Sequence, residues 1–204
     1  MQKKFLIVGG GVAGVCLAHQ LIKQNQQVTV VDDGNNVSSV VAAGIVHPMS
    51  FRRTLLSWNA DPFYFESKAF YMEMESVLNA HFFHPIMVRR LFATQEEATC
   101  WNQRLEQPEF RLFMHQITPE DLAFTPHGSG RVEGFWIDTR VFIKESHHYL
   151  AAREQLVYNT ISSENFNPET MEFQGVKYDE VVMALGYKNN QVPWFSEVPV
   201  NPTK

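Results

Sequence analysis

Residues 5–33, FLIVGGGVAGVCLAHQLIKQNQQVTVVDD, decide the fold that this chain is expected to adopt. The short apolar run before the glycines predicts one buried strand, and the glycines fit the pattern G-x-G-x-x-G. A helix is predicted next, with Ala13, Leu17 and Leu21 on one face, and a second apolar run predicts a strand that ends at Asp32. Strand, glycine turn, helix, strand and acid, in this order, are typical of a βαβ unit that binds a dinucleotide.

Each part of this unit has a chemical purpose. Gly9 allows a tight turn out of the strand, Gly11 lets a pyrophosphate approach the backbone, and Gly14 lets the helix pack closely on the strand. The helix N-terminus offers free N–H groups and a partial positive charge to phosphates. The Asp32 carboxylate can accept hydrogen bonds from the adenosine ribose, and an acid there disfavours the 2′-phosphate of NADP. The residues predicted to bind the cofactor here are Gly9, Gly11, Val12, Ala13, Gly14, Asp32 and Asp33.

Composition narrows the class of protein. The net charge of −5 gives no basic field for nucleic acid. Cys16 and Cys100 are the only cysteines and neither has a C-x-x-C partner, so we predict no metal site, no disulfide framework and a cytoplasmic location. Lys3 and Lys4 before an apolar run superficially resemble a secretory signal peptide. However, the glycines weaken such a helix, and the run is too short to span a bilayer, so no membrane partner is predicted.

A second motif follows the βαβ unit. Residues 38–48 read SSVVAAGIVHP and contain Ser-x-x-Ala-Ala-Gly. Together with the opening unit, this loop resembles the D-amino-acid oxidase family of FAD-dependent oxidoreductases, which includes glycine oxidases, sarcosine oxidases and the oxidase domain of a bifunctional tRNA-modifying enzyme. The resemblance implies that the loop runs beside the pyrophosphate and flavin of a non-covalently bound FAD. The loop residues implied as cofactor contacts are Ser39, Ala42, Ala43 and Gly44.

The chain departs from the family pattern at a few positions. Asp32 stands where glutamate is usual, Asn25 stands where a glycine commonly ends the first helix, and His47 stands where asparagine is frequent. Aspartate offers the same carboxylate acceptor on a side chain one methylene shorter, and asparagine tolerates the left-handed conformation. After His47, the adjacent Arg52 and Arg53 could meet an anionic substrate in a bidentate manner, so these three residues are candidate substrate contacts.

A later segment, residues 179–186, supports the resemblance. It resembles the strand-ending Ala-x-Gly signature of flavoproteins with two dinucleotide folds, in which the backbone turns beneath the pyrophosphate. In relatives, the backbone after a strand such as 156–161 holds the adenine, here around Ile161. The cofactor contacts implied are Ile161, Ala184, Leu185 and Gly186. The segment favours FAD over NAD.

The expected fold is α/β, an FAD-binding Rossmann-like domain with an inserted α+β substrate domain. Residues 1–45 and 137–204 are assigned to a discontinuous, incomplete FAD-binding domain, and residues 46–136 to a portion of the substrate domain. The resemblance covers only the N-terminal half of a family member, and relatives carry most catalytic side chains in the other half. No catalytic residue is therefore assigned, and we expect either a missing C-terminal half or a homo-oligomer.

The remaining segments predict further elements. A helix capped by Asp61 is expected to bury a stripe of Phe63, Phe70, Met74 and Val77. Residues 110–117 alternate as a half-exposed strand does, and residues 127–130 and 134–138 predict a loop and a short strand. Hairpin strands are expected on either side of Gln174 and Gly175. His147 and His148, which are adjacent to each other in sequence, are expected at the surface of a helix.

The resemblance implies oxidation of a C–N bond in an amine or amino acid, with hydride transfer to flavin. Two other functions stay open. The acid at Asp32 also permits an NAD-binding dehydrogenase domain. A non-catalytic, truncated flavoprotein fragment that acts as an interaction module would instead expose an apolar surface. The acidic net charge argues against a tRNA-linked oxidase.

Overall fold

The computed structural model describes residues 1–35, 37–122 and 126–195. The chain forms two compact units, Met1–Ala42 with the described part of Thr139–Lys204, and Ala43–Asp138. The strands of the described residues are β1 (Lys4–Val8), β2 (Gln27–Asp32), β3 (Ile45–Val46), β4 (Met49–Ser50), β5 (Leu55–Leu56), β6 (Phe83–Leu91), β7 (Met114–His115), β8 (Ser129–Ile137), β9 (Leu156–Tyr158), β10 (Phe166–Asn167), β11 (Glu172–Phe173), β12 (Val176–Lys177) and β13 (Glu180–Met183). The helices are α1 (Val12–Lys23), α2 (Val37–Val40), α3 (Ala60–Leu78), α4 (Gln95–Leu105), α5 (Pro108–Arg111), α6 (Pro119–Leu122) and α7 (Thr139–Ala151), with 3₁₀-helices η1 (Gly186–Gln191) and η2 (Pro193–Phe195).

A parallel sheet forms the centre of the first unit. Its strand order is β13-β1-β2-β9, and the register pairs Val8 with Val31 on one side and with Met183 on the other. Because parallel strands end at the same edge, the turns after β1, β2, β9 and β13 are neighbours. The predicted α/β fold, with a βαβ unit at its start, is confirmed.

Helix α1 packs on this sheet through a face that the sequence predicted only in part. Leu21 is buried as expected, together with Gly14 and Ala18, but Ala13 is exposed. A row of residues four apart drifts around a helix of 3.6 residues per turn by about 40° at each step. The predicted row therefore starts outside the buried face. Asn25 follows the helix at φ 57°, the left-handed conformation that asparagine tolerates.

A small antiparallel sheet, β10-β11-β12, also belongs to the first unit. The predicted hairpin is confirmed, since Gln174 and Gly175 both have positive φ between β11 and β12, as in a two-residue hairpin turn. The strand predicted at 156–161 is shorter, since β9 ends at Tyr158. Asn159 N–H still donates to the Asp32 carbonyl, and the Asn159 side chain accepts from Thr160 N–H. The core under this sheet contains Leu6, Val8, Val31, Ile161, Phe166, Phe173, Tyr178 and Val192.

The second unit has an antiparallel sheet with the order β3-β8-β6, and β7 pairs with β8. β8 is longer than predicted, because it includes Gly130 from the expected loop. Gly130 is covered by the Trp101 indole so closely that a Cβ would overlap the ring. The strand predicted at 110–117 is wrong: α5 ends at Arg111, and only β7 pairs with the sheet.

Helix α3 also differs from its prediction. It begins at Ala60 after Asn59, which has φ 53° and gives no side-chain cap, so Asp61 lies in the first turn. Met74 is 3% exposed, but Phe63 and Val77 are 51% and 42% exposed. The predicted stripe is wrong because α3 carries apolar residues on both faces, and periodicity cannot tell which face is packed.

Candidate functional site

The first unit contains a cleft of about 230 Å³ at the carboxyl edge of its parallel sheet. This edge is where open α/β sheets bind their ligands. The predicted cofactor residues that line it are Gly9, Gly11, Asp32, Asp33, Ser39, Ile161, Ala184, Leu185 and Gly186. The structure thus brings together segments from four different turns, although their contacts with a cofactor stay predictions.

The other predicted cofactor residues lie elsewhere. Ala13 and Ala42 are exposed, and Gly14 is buried beneath the glycine turn. Ala43 and Gly44 belong to the second unit, where the Gly44 carbonyl accepts from Ile137 N–H at 2.9 Å.

The glycine turn is closely packed. Gly9 has φ +110°, a conformation that favours glycine, and its N–H donates to the Val31 carbonyl at 2.7 Å. A Cβ on Gly9 would overlap the Ala184 carbonyl, and a Cβ on Gly14 would overlap the Gly9 carbonyl. Both positions therefore exclude any side chain, and α1 begins immediately beside the ends of β1 and β13.

The N-terminus of α1 has the properties of an anion site. Its first turn contains no acid, and Gly11 provides no side-chain cap. Val12 N–H instead donates to the Ser39 hydroxyl at 3.2 Å, so the Ser-x-x-Ala-Ala-Gly motif reaches this helix end. A serine hydroxyl that accepts one hydrogen bond can still donate to a phosphate oxygen.

The acid at the end of β2 organises the same turn. Asp32 is 4% exposed, and its carboxylate accepts Gly10 N–H at 2.6 Å and Gly34 N–H at 2.8 Å. Its neighbour Asp33 pairs with the Lys188 ammonium at 2.5 Å. The Lys188 hydrogen bond lowers the pKa of the Asp33 carboxyl, and the same bond raises the pKa of Lys188. Asp32 and Asp33 therefore place negative charge on the cleft wall, beside the Lys188 ammonium.

Sequence patterns did not indicate several residues around the cleft. Lys188 from η1 and Asn159 and Thr160 after β9 line it, but none belongs to a recognisable motif. His147 was expected at the surface and is 8% exposed, with Nε2 at 2.8 Å from the Gly10 carbonyl oxygen. The surface prediction holds for His148, which pairs with Glu145. Successive helix residues point about 100° apart, so adjacent histidines have different environments.

The candidate substrate residues all lie in the second unit. The His47 ring stacks on Phe51 at 4.6 Å between ring centroids, and burial lowers the pKa of His47. Arg52 and Arg53 are exposed in the turn between β4 and β5. Their exposure leaves the guanidinium groups accessible, and a role in substrate binding stays a prediction.

The described residues contain neither a metal-binding cluster nor a helix that could span a membrane. Residues 1–35, 37–122 and 126–195 contain no group of three or more His, Cys, Asp or Glu side chains arranged to hold a metal ion. None of the helices in those ranges combines the length and hydropathy that a membrane span requires. Neither Cys16 nor Cys100 belongs to a disulfide, and both are partly buried.

The fold of the chain is similar to that of known proteins. In fold, the chain is similar to L-amino acid deaminase from Proteus myxofaciens, with a TM-score of 0.71 at 15% identity, over 98% of this chain and 49% of that one. It is similar to L-proline dehydrogenase from P. horikoshii, with a TM-score of 0.68 at 17% identity, over 98% of this chain and 57% of that one. For glycine oxidase from Bacillus cereus the TM-score is 0.64 at 17% identity, over 96% of this chain and 58% of that one.

The chain therefore spans about half the length of these structures. A family model described as FAD dependent oxidoreductase (DAO) matches residues 4–204. The family's cofactor is FAD, as the sequence motifs predicted. The chain belongs to the DAO family of FAD-dependent oxidoreductases.

Proposed function

We propose that this chain is the FAD-holding part of an oxidoreductase that oxidises a C–N bond of an amine or amino acid. One observation carries the proposal: the glycine turn, the α1 N-terminus and the turn after β13 enclose a single cleft at the edge of the parallel sheet. Membership of the family supplies the identity of the cofactor.

The residues around the cleft fit FAD. The N–H groups at the start of α1 and the Ser39 hydroxyl would hold the pyrophosphate. Asp32 and Asp33 would face the adenosine ribose, and the backbone at Thr160 and Ile161 would hold the adenine. The overlap that a Cβ on Gly9 would cause shows how closely the turn approaches its surroundings. FAD, when bound, supplies the acceptor for the hydride, and the protein orients and shields the reactants.

We further propose that residues 1–45 and 137–204 form the FAD-binding domain, and that residues 46–136 are part of the substrate domain. The two compact units support this division, since their bounds lie within a few residues of these limits. His47, Arg52 and Arg53 are proposed substrate contacts. Two positive guanidinium groups suit a substrate that carries a carboxylate.

The names of structures similar in fold support the proposed substrate class. They are an L-amino acid deaminase, an L-proline dehydrogenase and a glycine oxidase. Each of these names refers to an amino acid, and we propose a small amine or amino acid as the substrate here. We also propose a cytoplasmic location, which two cysteines without a disulfide support, and no nucleic-acid partner, which the net charge supports.

A second candidate function is a non-catalytic interaction module, and one observation favours it. Trp58, Phe63 and Met72 in the second unit are 84%, 51% and 51% exposed. The Trp58 and Phe63 rings lie 5.4 Å apart, and contiguous exposed apolar patches commonly mark a docking surface for another chain or another part of the same protein. Such a module would associate through this surface, either as a homo-oligomer or with a C-terminal half, without turning over any amine.

The first experiment is a visible spectrum of the purified chain, followed by acid release of any chromophore and an anaerobic screen of amines and amino acids. We expect flavin absorption, released FAD, and bleaching by at least one substrate. Stoichiometric NAD without flavin would overturn the proposal in favour of a dehydrogenase domain. If the chain remains colourless after FAD is added, the longer gene product is measured, and a colourless longer protein would also overturn it. An FAD-bound longer protein that no amine bleaches would favour the interaction module.

A further inference from the structure

The second glycine of the turn has no explanation in the motif. The pattern G-x-G-x-x-G leaves position 10 open, yet this chain has Gly10 there. A Cβ at this position would lie 2.7 Å from His147 Nε2 and 2.9 Å from Asp32 Oδ2. At contacts this short one of the two side chains would have to move and weaken its hydrogen bond to Gly10, so a residue larger than glycine is disfavoured here. Position 10 is therefore adapted to a histidine on α7.

His147 and Asp32 hold the backbone of Gly10 at both ends. The Gly10 N–H donates to Asp32 at 2.6 Å, and His147 Nε2 lies 2.8 Å from the Gly10 carbonyl oxygen. A carbonyl oxygen can only accept, so His147 Nε2 must carry the proton. Nδ1 then faces the Tyr158 hydroxyl of β9 at 3.4 Å. The imidazole thus connects β9 to the glycine turn in one defined tautomer.

Holding this carbonyl also fixes the next amide. The peptide unit between Gly10 and Gly11 is planar and trans, so its C=O and N–H point in opposite directions. The C=O points at His147, and Gly11 lines the cleft whereas His147 does not. The Gly11 N–H is therefore directed away from the histidine. The hydrogen bond from His147 to the Gly10 carbonyl thus sets the orientation of the Gly11 N–H, on the side of the turn that faces the cleft.

We propose that His147 is a positioning residue for the cofactor pyrophosphate, because its hydrogen bond to Gly10 aims the Gly11 N–H at the phosphate. This inference rests on the proposed function, since it requires a dinucleotide in the cleft. The ligand part that His147 affects is the diphosphate, and the adenosine is held by other residues. His147 touches neither the ligand nor the reacting atoms.

The test compares ADP with adenosine as probes, by titration calorimetry on the whole chain. The variants are His147→Leu, which removes the donor, and His147→Gln, whose Nε2 can reach the same carbonyl. His148→Leu, at the exposed neighbouring position, is the matched control. We expect His147→Leu to weaken ADP about tenfold, the loss typical of one hydrogen bond, with adenosine changed less than about twofold. His147→Gln should recover most of the ADP affinity, and His148→Leu should bind as the wild type does.

Equal weakening of ADP and adenosine in a folded variant would assign His147 a merely structural role and overturn the inference, as would an unchanged ADP affinity. If His147→Leu fails to fold, ¹⁵N NMR of the wild-type imidazole decides the matter, because a proton on Nδ1 rather than Nε2 contradicts the proposed hydrogen bond. If the wild-type chain binds neither ADP nor FAD, the same titrations are made on the longer gene product, and a longer protein that also binds neither would refute the proposed function and with it this inference. Binding by the wild type without a difference in His147→Leu would refute the inference alone.

Discussion

The buried histidine of α1 should make the first unit sensitive to mild acid. His19 is 3% exposed, its Nε2 lies 3.0 Å from the Ser146 hydroxyl, and it packs against the Phe142 and Tyr149 rings. Burial, with a smaller contribution from the Arg153 charge, lowers the pKa of His19 from 6.5 to about 4. The folded state therefore holds His19 neutral at a pH where the unfolded state protonates it.

The sign and size of the effect follow from this pKa difference. Between pH 6.5 and about 4 the unfolded chain binds more protons, so the free energy of unfolding falls as the pH falls through this window. At about 1.4 kcal/mol for each unit of pH, the full effect is roughly 3 kcal/mol, of which roughly 2 kcal/mol is lost by about pH 5. The stabilisation by neutral His19 is fully present above its unfolded pKa.

The assay is urea denaturation followed by circular dichroism at about pH 7.5 and about pH 5, on wild type and His19→Gln. Glutamine can still hydrogen-bond to Ser146 but cannot titrate. We expect the wild type to lose roughly 2 kcal/mol more than His19→Gln between the two conditions. His148→Gln removes only an exposed i,i+3 pair with Glu145, so its loss should stay within about 0.5 kcal/mol of the wild-type loss. Parallel losses in wild type and His19→Gln would refute the burial of His19 between α1 and α7, and an NMR titration of the His19 ring would check its pKa directly.

Three further substitutions test the two units. Gly14→Ala should lower the free energy of unfolding by about 3 kcal/mol in thermal or urea unfolding, because its Cβ would overlap the Gly9 carbonyl. An unchanged midpoint would contradict this packing. Ser39→Ala removes the acceptor of Val12 N–H and should cost about 0.5–1 kcal/mol while weakening FAD binding several-fold in fluorescence titrations; equal FAD affinity would argue against a contact. Asp121→Asn should destabilise the second unit by about 3 kcal/mol, because a carboxylate that is 1% exposed would no longer balance its two arginine partners; a stable variant would show that this ion cluster contributes little.

Local sequence predicted the start of the fold well, and the reason is physical. In residues 5–33 the strand, turn, helix and acid follow one another without interruption, so their pattern carries both the element types and their connection. The positive φ of Gly9 and the conformation of Asn25 depend on intrinsic backbone preferences, which are also local. These features needed no knowledge of distant residues.

The contacts and buried faces that local sequence patterns did not predict depend on residues far apart in the chain. His147 and Gly10 are 137 positions apart, and Lys188 and Asp33 are 155 positions apart. Neither contact leaves a periodic signal, since each rests on how α7 and η1 approach the turns of the sheet. The buried face of α3 was missed for a related reason, since Phe63 and Met74 are both apolar and only tertiary packing distinguishes them.

The contact between Gly10 and His147 should be measurable as an energetic coupling between these two residues, which no sequence motif connects. Gly10→Ala places a Cβ against both His147 and Asp32 and should cost about 1–3 kcal/mol in urea denaturation. In a His147→Ala background one of these clashes is removed, so the same substitution should cost less, with a coupling of about 0.5–2 kcal/mol. The contact with Asp32 remains in both backgrounds, which explains why the cost should fall without vanishing. Because the cycle compares the same substitution in two backgrounds, it separates the crowding by His147 from any general intolerance of position 10. Strict additivity would show that α7 does not press on the turn, and glycine at position 10 would then be required by Asp32 alone.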